Sequence, residues 1–337
     1  VLVLGDGTNA QTLLVDQSVL TVTDSLHVNV TASLLLGMGE IEGDGGVFVD
    51  GSLSMEPGYI GGFAPLHILP PGQMLLDALQ PSGFGQRQIV NYGEIDWVQG
   101  DILLENNVTI SNEANAVFSA MAGATTISGS GTIQNLGFFG KNGSDSTLIQ
   151  VPFANLDTLK IVVGYLVLYD TFSHTAGASL QGNGTLDITN ATISAFEGDV
   201  SPGESPGILT VEGDLPLGPN STVFVEINGT TAGTEYDHLN VFGDLGQDGT
   251  LDITIGGGYT PTIGNSFGVL DFVTTSGSFA TVTGLDIGGG MQLDPIWETN
   301  SLVLDVVSAS TAGVYWTNAA GGNWNEPTNW STGLVPG

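Results

Sequence analysis

The chain has 337 residues, of which 35 are Asp or Glu and 3 are Lys or Arg, giving a formal net charge of −32. Arg87, Lys141 and Lys160 cannot assemble a basic patch for a nucleic-acid backbone or an anionic membrane surface. The absence of cysteine excludes disulfides and thiol chemistry, while 41% hydrophobic residues supply a large core, so the acidic charge belongs on the surface of a folded protein.

In chain order, residues 1–56 read as short strands, V-L-V-L, T-L-L-V, L-T-V-T, L-H-V-N-V, V-F-V and L-S-M, separated by Gly, Asp, Asn and Ser. The opening residues lack the basic start and apolar stretch of a signal peptide, and Val1 already stands in a strand pattern with no Met before it. Both features predict a mature or excised piece of a longer secreted chain, soluble as it stands, with its export signal elsewhere. No run of about 18 apolar residues predicts a membrane-inserted helix. Residues 57–90 differ: Pro57, Pro65, Pro70, Pro71 and Pro81 predict an insertion loop, with a short helix over 73–80. Strand rhythm continues over 91–199 with I-D-W-V, I-L-L, V-T-I and the long L-K-I-V-V-G-Y-L-V-L-Y. A further strand-rich block covers 200–310, and a Trp-rich segment covers 311–337.

Internal similarity is loose. V-x-G-[S/D]-L recurs at 49–53, 211–215 and 241–245, and G-T-L-D-I-T occurs at 184–189 and 249–254, at unequal intervals. A propeller or leucine-rich solenoid would keep a fixed period, whereas a parallel β-helix tolerates turns of varying length. The expected fold is therefore all-β, a right-handed parallel β-helix with irregular turns and a β-sandwich-like C-terminal part. At roughly 20–25 residues per coil and about 4.8 Å between strands, this predicts on the order of 14 coils and a rod of about 70 Å. Jelly-roll or immunoglobulin-like sandwiches are the competing all-β solution, and they suit 200–310 best.

Residues 201–217, S-P-G-E-S-P-G-I-L-T-V-E-G-D-L-P-L, place two Ser-Pro-Gly turns directly before an alternating strand. V-F-V-E-I-N-G at 223–229, Y-D-H-L-N-V-F-G-D-L at 236–245 and G-T-L-D-I-T-I at 249–255 follow. This order resembles the passenger stems of bacterial autotransporters and related secreted surface proteins, closely over 198–280 and more loosely before it. The terminal W-T-N-A-A-G-G-N-W-N-E-P-T-N-W-S-T-G-L-V-P-G resembles the motif that opens repeated modules in large bacterial surface proteins. The resemblance implies an extracellular or cell-surface location, a structural or adhesive role without catalysis, and a unit in a head-to-tail array whose partners are copies of itself or neighbouring modules. Trp316, Trp324 and Trp330 then pack a module junction. The alternative is a sugar-stacking platform that binds surface glycans.

Parallel β-helices also host polysaccharide-acting enzymes, which need a general base, an acid and usually cations for an acidic sugar. The cations are scarce here. Asp96 with Asp101, or Asp237 with His238, are the pairs to inspect, although 35 acids make chance proximity common. His27, His67, His174 and His238 share no metal-ligand spacing and read as surface or turn residues. No cofactor is required by any motif. Calcium is the one candidate ion, at the Gly-Asp-Gly turns of Asp6 and Asp44 and the Asp-Gly turn of Asp248, where carboxylate and carbonyl oxygens can converge. The eight N-x-[S/T] sequons reflect an Asn/Thr-rich strand composition.

Overall fold

A computed structural model describes residues 1–5, 8–121, 123–204, 206–309, 323–325 and 329. The chain is a β-solenoid of about ten turns, with no α-helix among the described residues. Through most of its length each turn contains three short strands, each pairing in parallel with the strand three places on. The first face stacks Leu2–Leu4, Ser25–Val28, Gly46–Val49, Leu66–Ile68, Ile89–Asn91, Thr109–Asn112, Thr132–Asn135, Phe153–Asn155 and Phe172–His174. The second face runs from Gln11–Val15 to Ser179–Gly182, and the third from Val19–Thr21 to Thr185–Asp187.

Strand alternation builds the core. Within each rung the residues of one parity point inward, so Leu26, Val47, Leu66, Ile89, Ile110 and Ile133 lie one above another, all sealed from solvent. Burying each such side chain contributes roughly 1.5–3 kcal/mol. Aromatics join the core too: on the second face Phe118 lies on Phe139 with ring centroids 4.9 Å apart and planes 10° from parallel, and ring contacts pass on through Phe153, Phe172 and Phe196 at interplanar angles of 49°, 36° and 60°.

Residues 57–90 form ordinary coils, which corrects the expectation of an insertion loop. Tyr59–Ile60, Leu66–Ile68, Gln73–Asp77, Ser82–Gly85 and Ile89–Asn91 pair in register with the coils on both sides. The expected helix over 73–80 is a strand over Gln73–Asp77, with Met74 and Leu76 buried and Gln73, Leu75 and Asp77 half-buried in strict alternation. The prolines stand between strands, at corners where no ladder hydrogen bond is lost. Glycine within one of these strands makes room for a neighbouring ring: a Cβ on Gly85 would sit 1.8 Å from the Tyr59 hydroxyl, whose ring lies across the third face.

From residue 196 onward the coil changes form. Phe196–Pro202 and then Leu215–Ile227, 13 residues long, each run across what were two faces, so a turn now uses two strands. After residue 283 the parallel ladder gives way to antiparallel pairing: Ser266–Gly277 with Ser301–Ser308, and Ser301–Ser308 with Met291–Trp297. These longer strands and the antiparallel close explain why the turns number about ten where even division of the chain into coils predicted 14.

Candidate functional sites

The buried cations inside the solenoid are committed to its backbone. The largest commitment is Arg87, wholly buried, whose guanidinium donates to the carbonyls of Gly61 (2.7 Å), Gly45 (2.7 Å), Ala64 (2.5 Å) and Gly43 (2.8 Å). Its planar fork ties two successive third-face corners together, at the cost of a desolvated charge; burial lowers its pKa, partly offset by Asp44. Lys141, also sealed, donates its Nζ to the Gly143 carbonyl, and burial lowers its pKa too.

An amide ladder runs along the corner between the first and second faces. Asn91 Nδ2 donates to Asn112 Oδ1 (2.7 Å), Asn112 to Asn135 (2.8 Å) and Asn135 to Asn155 (2.7 Å), and Asn155 Nδ2 meets His174 Nδ1 at 3.1 Å. Each of the first three amides spends its other N–H on a carbonyl that opens the second-face strand of the next coil, Val117, Phe138 or Thr158. Burial pushes the His174 pKa down to about 4, so the imidazole is neutral at pH 7 and can accept from Asn155. The sequence does carry a signal for this ladder. I-V-N, I-S-N, I-Q-N and F-A-N end successive first-face strands, 21, 23 and 20 residues apart, and F-S-H follows after 19. Turn-based repeat patterns pass over it.

The proposed acid pairs have separate partners. Asp96 projects from the second-face strand Glu94–Gln99, 7% exposed, and accepts from Gln73 Nε2 at 2.6 Å, while Asp101 lies in the following turn and accepts from the Thr126 amide at 2.8 Å. Asp237 is buried and accepts from the amides of Gly207 (2.8 Å) and Glu226 (2.9 Å), so it fastens the second Ser-Pro-Gly turn to the strand Leu215–Ile227. Burial pushes its pKa up to about 6 against those two amides. The neighbouring His238 turns the other way along the strand, with Nδ1 2.7 Å from the Gly268 carbonyl and Nε2 2.6 Å from Asn240 Oδ1 and 3.2 Å from Asp271 Oδ2.

His27 and His67 belong to an outward row on the first face, stacked on either side of Phe48 with centroids 4.7 and 5.1 Å away. Among the described residues no three His, Asp or Glu side chains converge as metal ligands. Asp44 is exposed, and the carbonyls of its turn, Gly43 and Gly45, already serve Arg87. Asp248 Oδ1 accepts from the Gly249 amide at 2.8 Å. Asp6, Trp316 and Trp330 lie outside the described residues, and Trp324 is exposed.

Sequence reasoning missed a cleft at the C-terminal end of the third face. About 930 Å³ in volume, it is lined by Asn240, Phe242, Asp271, Val273, Trp297 and Glu298 among others. A register shift between the strands His238–Gln247 and Ser266–Gly277 falls at this point. Such a bulge re-aims the side chains beside it, and Phe242 is left 65% exposed. Gly243 permits the kink, since a Cβ there would meet the Gly213 carbonyl at 2.2 Å. Trp297 is 42% exposed and rests against Phe272 and Phe279, each with ring centroids 6.2 Å from its own. No protein-family model and no curated protein sequence matches the chain.

Proposed function

We propose that the chain is a structural and adhesive module of an extracellular surface protein, whose coils are made to be continued by a neighbouring module of the same kind. The observation that carries this reading is the state of the first coil. Leu2 occupies the same inward position as Leu26 above it, yet it is 45% exposed where Leu26 is 0%; Leu4, Leu13 and Leu20 are likewise less covered than their partners Val28, Leu34 and Ile41. A coil whose apolar side chains stand in register like these can carry a further coil, whether from the same chain or from a neighbouring module. The stem-like pattern over 198–280 supports the surface location.

Negative-stain electron microscopy and sedimentation over a range of concentrations test it. Rods that lengthen by whole units, and that return to single units in Leu2→Asp/Leu20→Asp, are the expected result. Single rods at every concentration would overturn the stacking proposal. Sustained release of reducing ends or unsaturated products from a polysaccharide panel, abolished by changing one carboxylate, would replace it with an enzymatic function.

A further inference from the structure

We propose that the cleft between Phe242 and Trp297 is a binding site for an uncharged glycan chain. The inference does not depend on end-to-end stacking.

Three features of the cleft combine to recognise a sugar. Phe242 and Trp297 offer apolar ring surface to solvent at its walls, the type of surface on which the C–H face of a pyranose stacks. Around them stand groups that bond hydroxyls: the Asn240 carboxamide, the Asp271 and Glu298 carboxylates and the Ser301 hydroxyl. These groups are held in place before any ligand arrives. His238 contacts both Asn240 and Asp271. Ser301 Oγ donates to Glu298 Oε2 at 3.1 Å, and Asn300 Nδ2 spans the Phe272 (3.2 Å) and Val273 (2.6 Å) carbonyls, pinning the turn that carries Glu298 to the strand opposite the bulge. Pre-organised polar groups around an apolar floor lose little entropy on binding.

Charge selects the class of glycan. No Lys or Arg follows Lys160 in the sequence, and two carboxylates line the cleft, so uronate or sulfated chains are repelled. At about 930 Å³ the cleft lies at the upper end of small-ligand sites, sized for a short oligosaccharide segment. An exposed, solvent-open site of this kind holds its ligand by stacking and hydroxyl bonds, so each aromatic wall should carry a large share of the affinity.

The test is calorimetric titration of the full chain with cellohexaose, laminarihexaose, mannohexaose and chitohexaose, with hexagalacturonate as the acidic control. Binding of at least one neutral hexamer is expected, with little or none of the acidic one. Phe242→Ala and Trp297→Ala should each weaken it tenfold or more, whereas Phe63→Ala, an exposed ring far along the chain, should leave it unchanged. Because Trp297 also touches Phe272 and Phe279, Phe242→Ala is the decisive variant, and circular dichroism verifies that both remain folded. The proposal is overturned by no binding of any neutral hexamer, by tighter binding of hexagalacturonate, or by affinity that Phe242→Ala does not change.

Discussion

The three-strand coils before residue 196 and the region around 238–308 solve the same problem in different ways. In the first, strands are two to six residues long, corners are frequent, and buried polar groups at the corners hold the coils in phase: Arg87 across two corners, the Asn91 to Asn155 amides across four. In the second, strands reach 12 residues, antiparallel pairing closes the sheet, and apart from the buried Gln247 the polar groups sit outside, several of them around an open cleft. Corners consume polar side chains for stability; long strands release them for contact with solvent or ligand. Stability should therefore be concentrated in the interior polar groups of the first region and nearly indifferent to the aromatic walls of the second.

Arg87→Met is the harshest way to break that contrast. It keeps the volume of the side chain but strands the carbonyls of Gly43, Gly45, Gly61 and Ala64. A loss of about 4 kcal/mol or more is expected in denaturant unfolding, and Arg87→Lys should recover only part of it because an ammonium cannot reproduce the fork. Asn135→Leu comes next. It leaves Asn112 without its acceptor, Asn155 without its donor and the Thr158 carbonyl unpaired, so about 3 kcal/mol is expected. A loss below 1 kcal/mol in either case would show that the corners do not hold the coils in phase.

His174 sharpens the comparison through pH. Its folded pKa of about 4 lies below the ordinary 6.5, so the unfolded chain binds the extra proton and stability falls as pH drops from 6.5 to 4, by up to about 3 kcal/mol. Asp237 has the opposite sign. Raised to about 6 from 3.8, it is protonated more readily in the folded chain, so stability rises as pH falls through 6 toward 3.8. The two oppose each other in the wild type. Subtracting the pH–stability curve of His174→Asn, which prolongs the amide ladder, should isolate the histidine contribution; a flat difference between pH 4 and 6.5 would contradict it. The smallest effect belongs to Phe242→Ala, whose unfolding midpoint should stay within what about 0.5 kcal/mol produces.

Strand existence and parallel stacking were legible in the sequence because inward and outward residues alternate so regularly. Turn signals were less reliable guides to position. The identical G-T-L-D-I-T segments fall on different faces, one in the third-face strand Thr185–Asp187 and the other in Thr250–Ile255, which continues the second. Each reports a glycine followed by a strand, and second-face and third-face strands alike open that way, as after Gly51 and Gly72 or Gly39 and Gly58. The prolines of 57–90 misled for a related reason: a corner tolerates proline as readily as a loop does, and only the alternation of Met74 and Leu76 with Gln73, Leu75 and Asp77 separates strand from helix there. Asp237 looked like half of an acid–base pair because sequence adjacency to His238 conceals that the two side chains serve different neighbours, Asp237 the amides of Gly207 and Glu226 and His238 the Gly268 carbonyl. The Phe242 and Trp297 cleft could not be read from sequence at all. It joins residues some 55 positions apart through a bulge whose register is set by tertiary pairing.

The amide ladder has a sense of direction. Each asparagine gives its proton to the next coil and none returns it, so the amide dipoles point the same way along the rod, and the backbone carbonyl that takes the second N–H forbids any one of them to turn over. A coil added out of phase would present a strand side chain where an amide belongs and would halt the sequence of donors. The chain thus carries its own proofreading of coil assembly, independent of what lies between the rungs. Because intervals of 21, 23, 20 and 19 residues all satisfy it, the connecting turns are free to lengthen, shorten or acquire new sequence while the scaffold beneath them stays in phase.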